Sequence, residues 1–368
     1  MRVLIFGFGR IAKREYLPHL RRLVKELKPP TKLNMQCVDK GKEVCFEVET
    51  WEREPSVRLE KIDKVLILSP PAAHYQDVSA IARRCVAQGI SFPEIYIEKP
   101  IYLVSRLWLW KKLLAKHAGL EDRVFYIDHY RFKDALAWFL ERKSDILGSL
   151  GTIEEIGFVS LEKERFWDSP AFSRGYLLEH GCHLVSMLDR IFPGIEEREW
   201  VPQRPREWRT WEQAGRPESC RRDSACLAFL TLAGKESPEV SADASLTVVI
   251  GKGMIDTKVL YLRGERGACQ IWFNQGRFVV SATGQKPTEA KIPSGQSYAA
   301  VVESIVSAGE RPGLLLPLKQ GMAEQEKVIA IQKRLPSRAE TYVVGDVPPE
   351  IAKELVRVGL QSKATRGS

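Results

Sequence analysis

The run Met1-Arg2-Val3-Leu4-Ile5-Phe6-Gly7-Phe8-Gly9-Arg10-Ile11-Ala12 decides how the chain begins to fold. Residues 2–6 read as a buried strand, which two glycines then interrupt. Beyond them Ile11, Leu17, Leu20, Val24 and Leu27 recur at helical spacing until Pro29-Pro30 stops the pattern. In this strand–turn–helix, Gly7 permits a tight turn and Gly9 lets the backbone approach a pyrophosphate. Ala12 is small enough for close packing of helix on strand. The helix start offers N–H groups and a partial positive charge to phosphates, and Arg10 can add a charge contact. A second strand over 33–38 ends at Asp39, where a carboxylate accepts hydrogen bonds from ribose hydroxyls. A carboxylate there repels a 2′-phosphate, which favours NAD. The adjacent Lys40 can reverse that preference, so NADP stays open.

Strands and helices continue to alternate outward from this point. Val65–Leu68 is a short strand closed by Ser69-Pro70-Pro71, a helix over 74–88 ends at Gly89, and Ile95–Ile97 is a strand followed by Glu98-Lys99-Pro100. A helix over 105–117 precedes the strand Val124–Ile127. This rhythm predicts parallel βαβ units in a domain over residues 1–123. A second domain is expected over 124–345, with a tail over 346–368. Its helices are expected over 133–146 and 178–192, with a long strand over 153–166. Glycine-punctuated strands between 225 and 282 read as an antiparallel sheet, and helices over 297–308 and 319–334 close the domain. The segment 200–222, with Trp208 and Trp211, shows no clear period and reads as a surface excursion. The fold class is therefore α/β: an N-terminal Rossmann parallel sheet and a C-terminal α+β domain with a mostly antiparallel open sheet.

Bulk properties narrow the classes. A length of 368 residues suits two domains. No apolar stretch approaches the roughly 20 residues that span a bilayer. The seven cysteines include no C-x-x-C pair, so neither a disulfide framework nor a zinc site is suggested and a reducing cytoplasm fits best. The formal charge is +9, but basic and acidic residues interleave, as in Lys163-Glu164-Arg165. That pattern speaks for a solvated surface rather than a nucleic-acid stripe.

Three further segments, Val65–His74, Glu98-Lys99-Pro100 and Glu179-His180-Gly181-Cys182-His183, follow the nucleotide turn in order. Together they resemble the glucose–fructose oxidoreductase / inositol 2-dehydrogenase family of NAD(P)-dependent oxidoreductases, over residues 1 to about 335. The resemblance implies a Rossmann domain for the cofactor, a second domain whose helices line the substrate pocket, and a homodimer or homotetramer. It adds Ser69, Pro70, His74, Glu98 and Lys99 to Gly7, Gly9, Arg10, Ile11, Ala12, Asp39 and Lys40 as cofactor contacts. A narrower likeness joins Tyr126–Lys133 to the substrate segment of glucose-6-phosphate dehydrogenase, although Arg131-Phe132 departs from that enzyme's pattern. It implies His129, Tyr130 and Lys133 as substrate contacts; Arg131, which instead suits the first family, joins them as a candidate.

Oxidising a secondary alcohol needs a group to take the hydroxyl proton and another to steady the developing alkoxide. In the family the lysine matching Lys99 touches the reacting hydroxyl; read without the family, Lys99 is better taken as a loop lysine paired with Glu98. His183 is the candidate proton acceptor, because imidazole titrates near neutrality. Glu179 lies one helical turn before it, on the same face, where the family usually has Asp. The glucose-6-phosphate dehydrogenase likeness implies that Asp128 steadies His183 as the carboxylate of a dyad does. No cluster has metal spacing, so no metal is expected. The first expectation is an NAD(P)-dependent oxidoreductase acting on CH–OH groups of a sugar, sugar phosphate, amino sugar or cyclitol. The alternatives are an NAD-assisted glycoside hydrolase and a non-catalytic cofactor-binding regulator of the same fold.

Overall fold

A computed structural model of the chain describes residues 2–26, 34–38, 58–102, 106–163, 176–195, 199–202, 209–210, 225–233, 239–253, 257–295, 297–307 and 314–334. Its contacts divide the chain into two compact units. One is Met1–Phe132 with Gln296–Gln325, the other Lys133–Gly295 with Glu326–Ser368.

The first unit is built on β1 (Arg2–Phe6), β2 (Asn34–Val38), β3 (Lys64–Ile67), β4 (Glu94–Glu98) and β5 (Val124–Ile127). All pair in parallel, in the order β5-β4-β3-β1-β2. Val3–Phe6 and Lys64–Ile67 are buried along their whole length, as strands covered on both faces must be. After the glycine turn the opening helix passes through a π turn, Ala12–Tyr16, into α1 (Leu17–Glu26). α2 (Pro71–Gln88) starts earlier than the apolar period shows, because Pro71 suits the first helical position. It ends at Gly89 in the left-handed region, φ 64°. α3 (Leu107–Lys116) leads back toward β5. β1 lies between β2 and β3, so the direction of winding reverses there. That reversal opens a crevice at the carboxyl ends of β1 and β3.

In the second unit α4 (Asp134–Glu141) and α5 (Lys143–Leu150) replace the single helix expected over 133–146. They meet at Arg142, whose φ −112° and ψ 8° are not helical. Its guanidinium lies 4.7 Å from the Trp138 ring. β6 (Ile153–Lys163) and α6 (Tyr176–Ile191) follow. Then come β7 (Glu199–Pro202), β8 (Arg209–Thr210), β9 (Ala225–Ala233), β10 (Val240–Gly253), β11 (Thr257–Gly264), β12 (Gly267–Trp272), β13 (Arg277–Ala282) and β14 (Thr288–Lys291). The sheet runs β14-β13-β12-β11-β6-β10-β9-β7, with β8 also on β9. It is antiparallel except where β6 pairs with β10. Ile156, Phe158, Leu246, Val248, Leu260, Leu262 and Ile271 line one face of it, and Val159, Val249, Val259 and Tyr261 are buried on the other. β7 and β8 fall in the stretch expected to be an excursion, because runs of 4 and 2 residues are too short to show alternation. Trp208 and Trp211 lie outside the described residues.

The chain then returns through α7 (Ser297–Val306), β15 (Leu316–Pro317) and α8 (Leu318–Arg334). Val301, Val302 and Ile305 of α7 share one core with Val3, Ile5, Tyr16 and Leu20. β15 pairs antiparallel with β5. Residues 124–132 and 296–325, assigned to the second domain from the sequence, thus belong to the first unit, and the division falls inside α8. Periodicity identifies a helix and its buried face, but not which sheet that face covers. No helix among the described residues is long and apolar enough to cross a membrane.

Candidate functional site

Because β1, β3, β4 and β5 are parallel, the loops that leave them emerge on one edge of the sheet. Those loops carry Gly7–Ala12, Ser69–Pro70, Glu98–Lys99 and Asp128–Arg131. Most of the candidate residues are therefore brought together by topology alone.

Gly7 has φ 84°, and a Cβ there would collide with the backbone of Ser69. Glycine is required both for the turn and for the close approach of the two loops. Gly9 is different: among the described residues nothing lies within 4 Å of where its Cβ would stand. Lys13 N–H bonds back to Gly9 O at 3.1 Å, which sets the first helical turn. Ala12 is buried against Val3 and Ile5, while Arg10 and Ile11 are exposed. A helix start with open space above a glycine fits a pyrophosphate, whose oxygens can take the opening amides. The residues present therefore fit the phosphates of a nicotinamide dinucleotide. Asp39 and Lys40 lie outside the described residues.

In the loop after β3, Ser69 Oγ–H donates to Asp77 Oδ2 at 2.5 Å, and the exposed Pro70 precedes α2. His74 is fully buried. Its Nε2 is 2.6 Å from Ser69 O and its Nδ1 3.2 Å from Ile101 O. The ring thus ties the loop after β3 to the loop after β4.

Glu98 ends β4 with its carboxyl buried. Tyr16 Oη–H donates to Glu98 Oε1 at 2.6 Å, and Lys99 N–H donates to Oε2 at 3.1 Å. Burial pushes Glu98 up to about 7, against the pull of the Tyr16 hydrogen bond and the Lys99 charge. The half-buried Lys99 precedes a cis bond to Pro100. Beyond it Gln325 Oε1 accepts Ile101 N–H at 2.8 Å, and Gln325 Nε2 donates to Tyr102 O at 2.5 Å. The lysine turn is thereby fixed on both sides.

After β5, Asp128 is fully buried and its Oδ1 accepts Tyr130 N–H at 2.9 Å. Burial raises its carboxyl, opposed by the neighbouring His129 charge and that hydrogen bond. His129 stacks on Tyr298, with ring centroids 4.7 Å apart and planes at 17°. Tyr298 in turn meets Tyr16 edge-on at 5.4 Å. Tyr130 is buried. Arg131 is buried too, and its Nη1 lies 3.3 Å from Glu324 Oε1. That guanidinium is engaged inside the first unit.

Three candidates belong to the second unit. Lys133 is half-buried, and its carbonyl accepts the N–H groups of Leu136 and Ala137 that start α4. Glu179 is on α6, with its side chain outside the described residues. His183 is buried on the same helix among Cys182, Leu184, Val185, Met187 and Leu188, with the His180 ring 6.1 Å away.

Tyr16, Tyr298, Glu324 and Gln325 escape the sequence reading. Tyr16 sits at a helical core position, so its period reports the ring and not the hydroxyl. Its partner Glu98 is 82 residues away and Gln325 is 224 residues from Ile101. No local pattern encodes such pairs.

No family model matches the chain, and a comparison with curated proteins finds no match. Solved structures do match. UDP-N-acetylglucosamine 3-dehydrogenase GnnA from Acidithiobacillus ferrooxidans is 14% identical with a TM-score of 0.61, over 91% of this chain and 96% of that one. A 3-ketoreductase from Actinomadura kijaniata, solved with TDP-benzene and NADP, is 14% identical with a TM-score of 0.61, over 90% and 97%. Biliverdin reductase from Synechocystis, solved with biliverdin and NADP, is 15% identical with a TM-score of 0.61, over 90% and 98%. The chain thus carries the two-part fold of these oxidoreductases, a Rossmann-like parallel sheet followed by a mostly antiparallel one.

Proposed function

We propose that the protein is an NAD(P)-dependent oxidoreductase acting on a CH–OH group or its ketone in a sugar, sugar derivative or cyclitol. One observation carries this reading: the Gly7–Gly9 turn, the Ser69 loop and the Lys99 turn converge at the carboxyl edge of one parallel sheet. When bound, the nicotinamide supplies the two-electron acceptor or donor. Gly9 and the opening amides of the helix hold the phosphates. Asp39 favours NAD through its carboxylate, although two of the similar structures hold NADP. Lys99 steadies negative charge on the reacting oxygen. His183 takes the hydroxyl proton when the alcohol is oxidised and returns it in the reverse direction. Glu179 orients the substrate beside it, and Asp128 stays the candidate carboxylate of the loop after β5.

His129, Tyr130 and Lys133 remain the substrate contacts proposed from the glucose-6-phosphate dehydrogenase likeness. Arg131 is the weakest member of that set, given its pairing with Glu324. The UDP-N-acetylglucosamine 3-dehydrogenase among the similar folds widens the substrate class to nucleotide-linked sugars.

The test is a screen of sugars, sugar phosphates, nucleotide-linked sugars and cyclitols, followed at the reduced-nicotinamide absorbance band. The active substrate is then given to K99M and H183A. Turnover should fall at least about a hundredfold in each while NADH binding persists. Wild-type turnover in either variant removes that residue from the mechanism. Glycoside cleavage without net reduction would point to the hydrolase alternative instead.

A further inference from the structure

Tyr16 has no part in the chemistry proposed above, yet it joins two pieces of the crevice. It closes the π turn Ala12–Tyr16 that follows the phosphate turn. Such turns inside α-helices often mark functional positions. Its ring is fully buried, and its hydroxyl donates to Glu98, the residue just before Lys99. Glu98 spends its second oxygen on the Lys99 amide. One carboxyl therefore connects the helix at the phosphates to the turn that presents the lysine.

We propose that Tyr16 is a positioning residue: through Glu98 it sets the Lys99 turn, so that one buried hydrogen bond joins the phosphate end of the crevice to the reacting end. This rests on the cofactor reading above. The groups that face Glu98 are Tyr16 from the opening helix, Tyr298 from α7, Asp128 from the end of β5, and Lys99 from its own turn. His129 stands beside Asp128. Burial and the Asp128 charge favour the protonated carboxyl, whereas the Tyr16 hydrogen bond and Lys99 favour the ionised one. The balance lies near neutrality. An ionised Glu98 accepts both N–H and O–H and holds the turn; a protonated one accepts more weakly. Cofactor affinity should therefore fall as the pH drops through the Glu98 titration.

The experiment compares full-length wild type, Y16F and E98Q. Y16F keeps the buried ring and its edge contact with Tyr298 and removes only the donor. Two readouts are taken across neutral pH: the carboxylic-acid C=O band by infrared difference spectroscopy, and NADH affinity by fluorescence. In Y16F both midpoints should move up together, by about one pH unit, the size expected for losing a hydrogen bond to a charged group. E98Q should lack the band, and its NADH affinity should be flat over the same range. Superimposable titrations of wild type and Y16F overturn the proposal, as does a carboxyl shift with no shift in NADH affinity. A pH dependence that survives in E98Q overturns it independently of how Y16F folds. If the wild type binds no NADH at any pH, the cofactor reading itself fails. That outcome is distinct from a wild type that binds NADH with a pH dependence Tyr16 does not influence.

Discussion

Gly7 and Gly9 are two residues apart and differ in their surroundings. Gly7 is in the left-handed region at φ 84° and pressed against the Ser69 backbone, whereas none of the described residues fills the space over Gly9. G7A should lower stability by roughly 1–3 kcal/mol. G9A should leave the melting temperature within about a degree and act only on what enters from outside. Thermal denaturation of the two variants checks this. Glu98 gives a second prediction at this scale. Its carboxyl is raised from 4.5 to about 7, so the folded protein binds that proton more tightly than the unfolded chain. The contribution to stability is full below the unfolded value and is lost as the pH rises toward about 7. The loss is on the order of a few kcal/mol. E98Q, measured by denaturant unfolding across this window, should lack it; an unchanged pH slope would contradict the buried, proton-holding carboxyl. The chemical types at these positions were legible in the sequence. The partners of Glu98, His74 and Arg131 were not, because each comes from a distant segment.

At the scale of elements, the helices and strands follow from apolar period and from glycine and proline punctuation. Where period is short or shared, they do not. The break at Arg142 leaves the helical spacing almost intact, and two-residue strands such as β8 have no period to read. Gly321 on α8 is another example. A glycine there reads as a weak point in a helix, and replacing it with alanine normally gains up to about 1 kcal/mol. Here a Cβ would stand 2.5 Å from the ring of Tyr126, which is fully buried on β5. G321A should therefore destabilise the protein, by roughly 1–3 kcal/mol, as measured by chemical denaturation. Equal or greater stability would mean that α8 does not pack on β5 as closely as described. The same helix delivers Glu324 to Arg131 and Gln325 to the Ile101–Tyr102 backbone. It thus braces two of the loops that bear candidate residues.

At the scale of the whole molecule, the alternation of strand and helix foretold the parallel sheet, and glycine-spaced strands foretold the antiparallel one. The path of the chain between the two was not legible. α7 and the start of α8 belong with the first sheet because their apolar faces meet Tyr16, Leu20 and Tyr126, a choice of partner that no local pattern records. The candidate site follows the same division. Its glycines, Lys99 and His183 stand out as motif residues, while the side chains that hold Lys99 in place come from the opening helix and from α8. If the first unit holds a nicotinamide dinucleotide over Gly9, fluorescence titration of wild type and G9A with NADH and NADPH will show it. Binding should be saturable, tighter for NADH, and weakened at least about tenfold in a G9A protein of unchanged thermal stability. Binding of neither nucleotide to the wild type, or equal affinity in G9A, would contradict it.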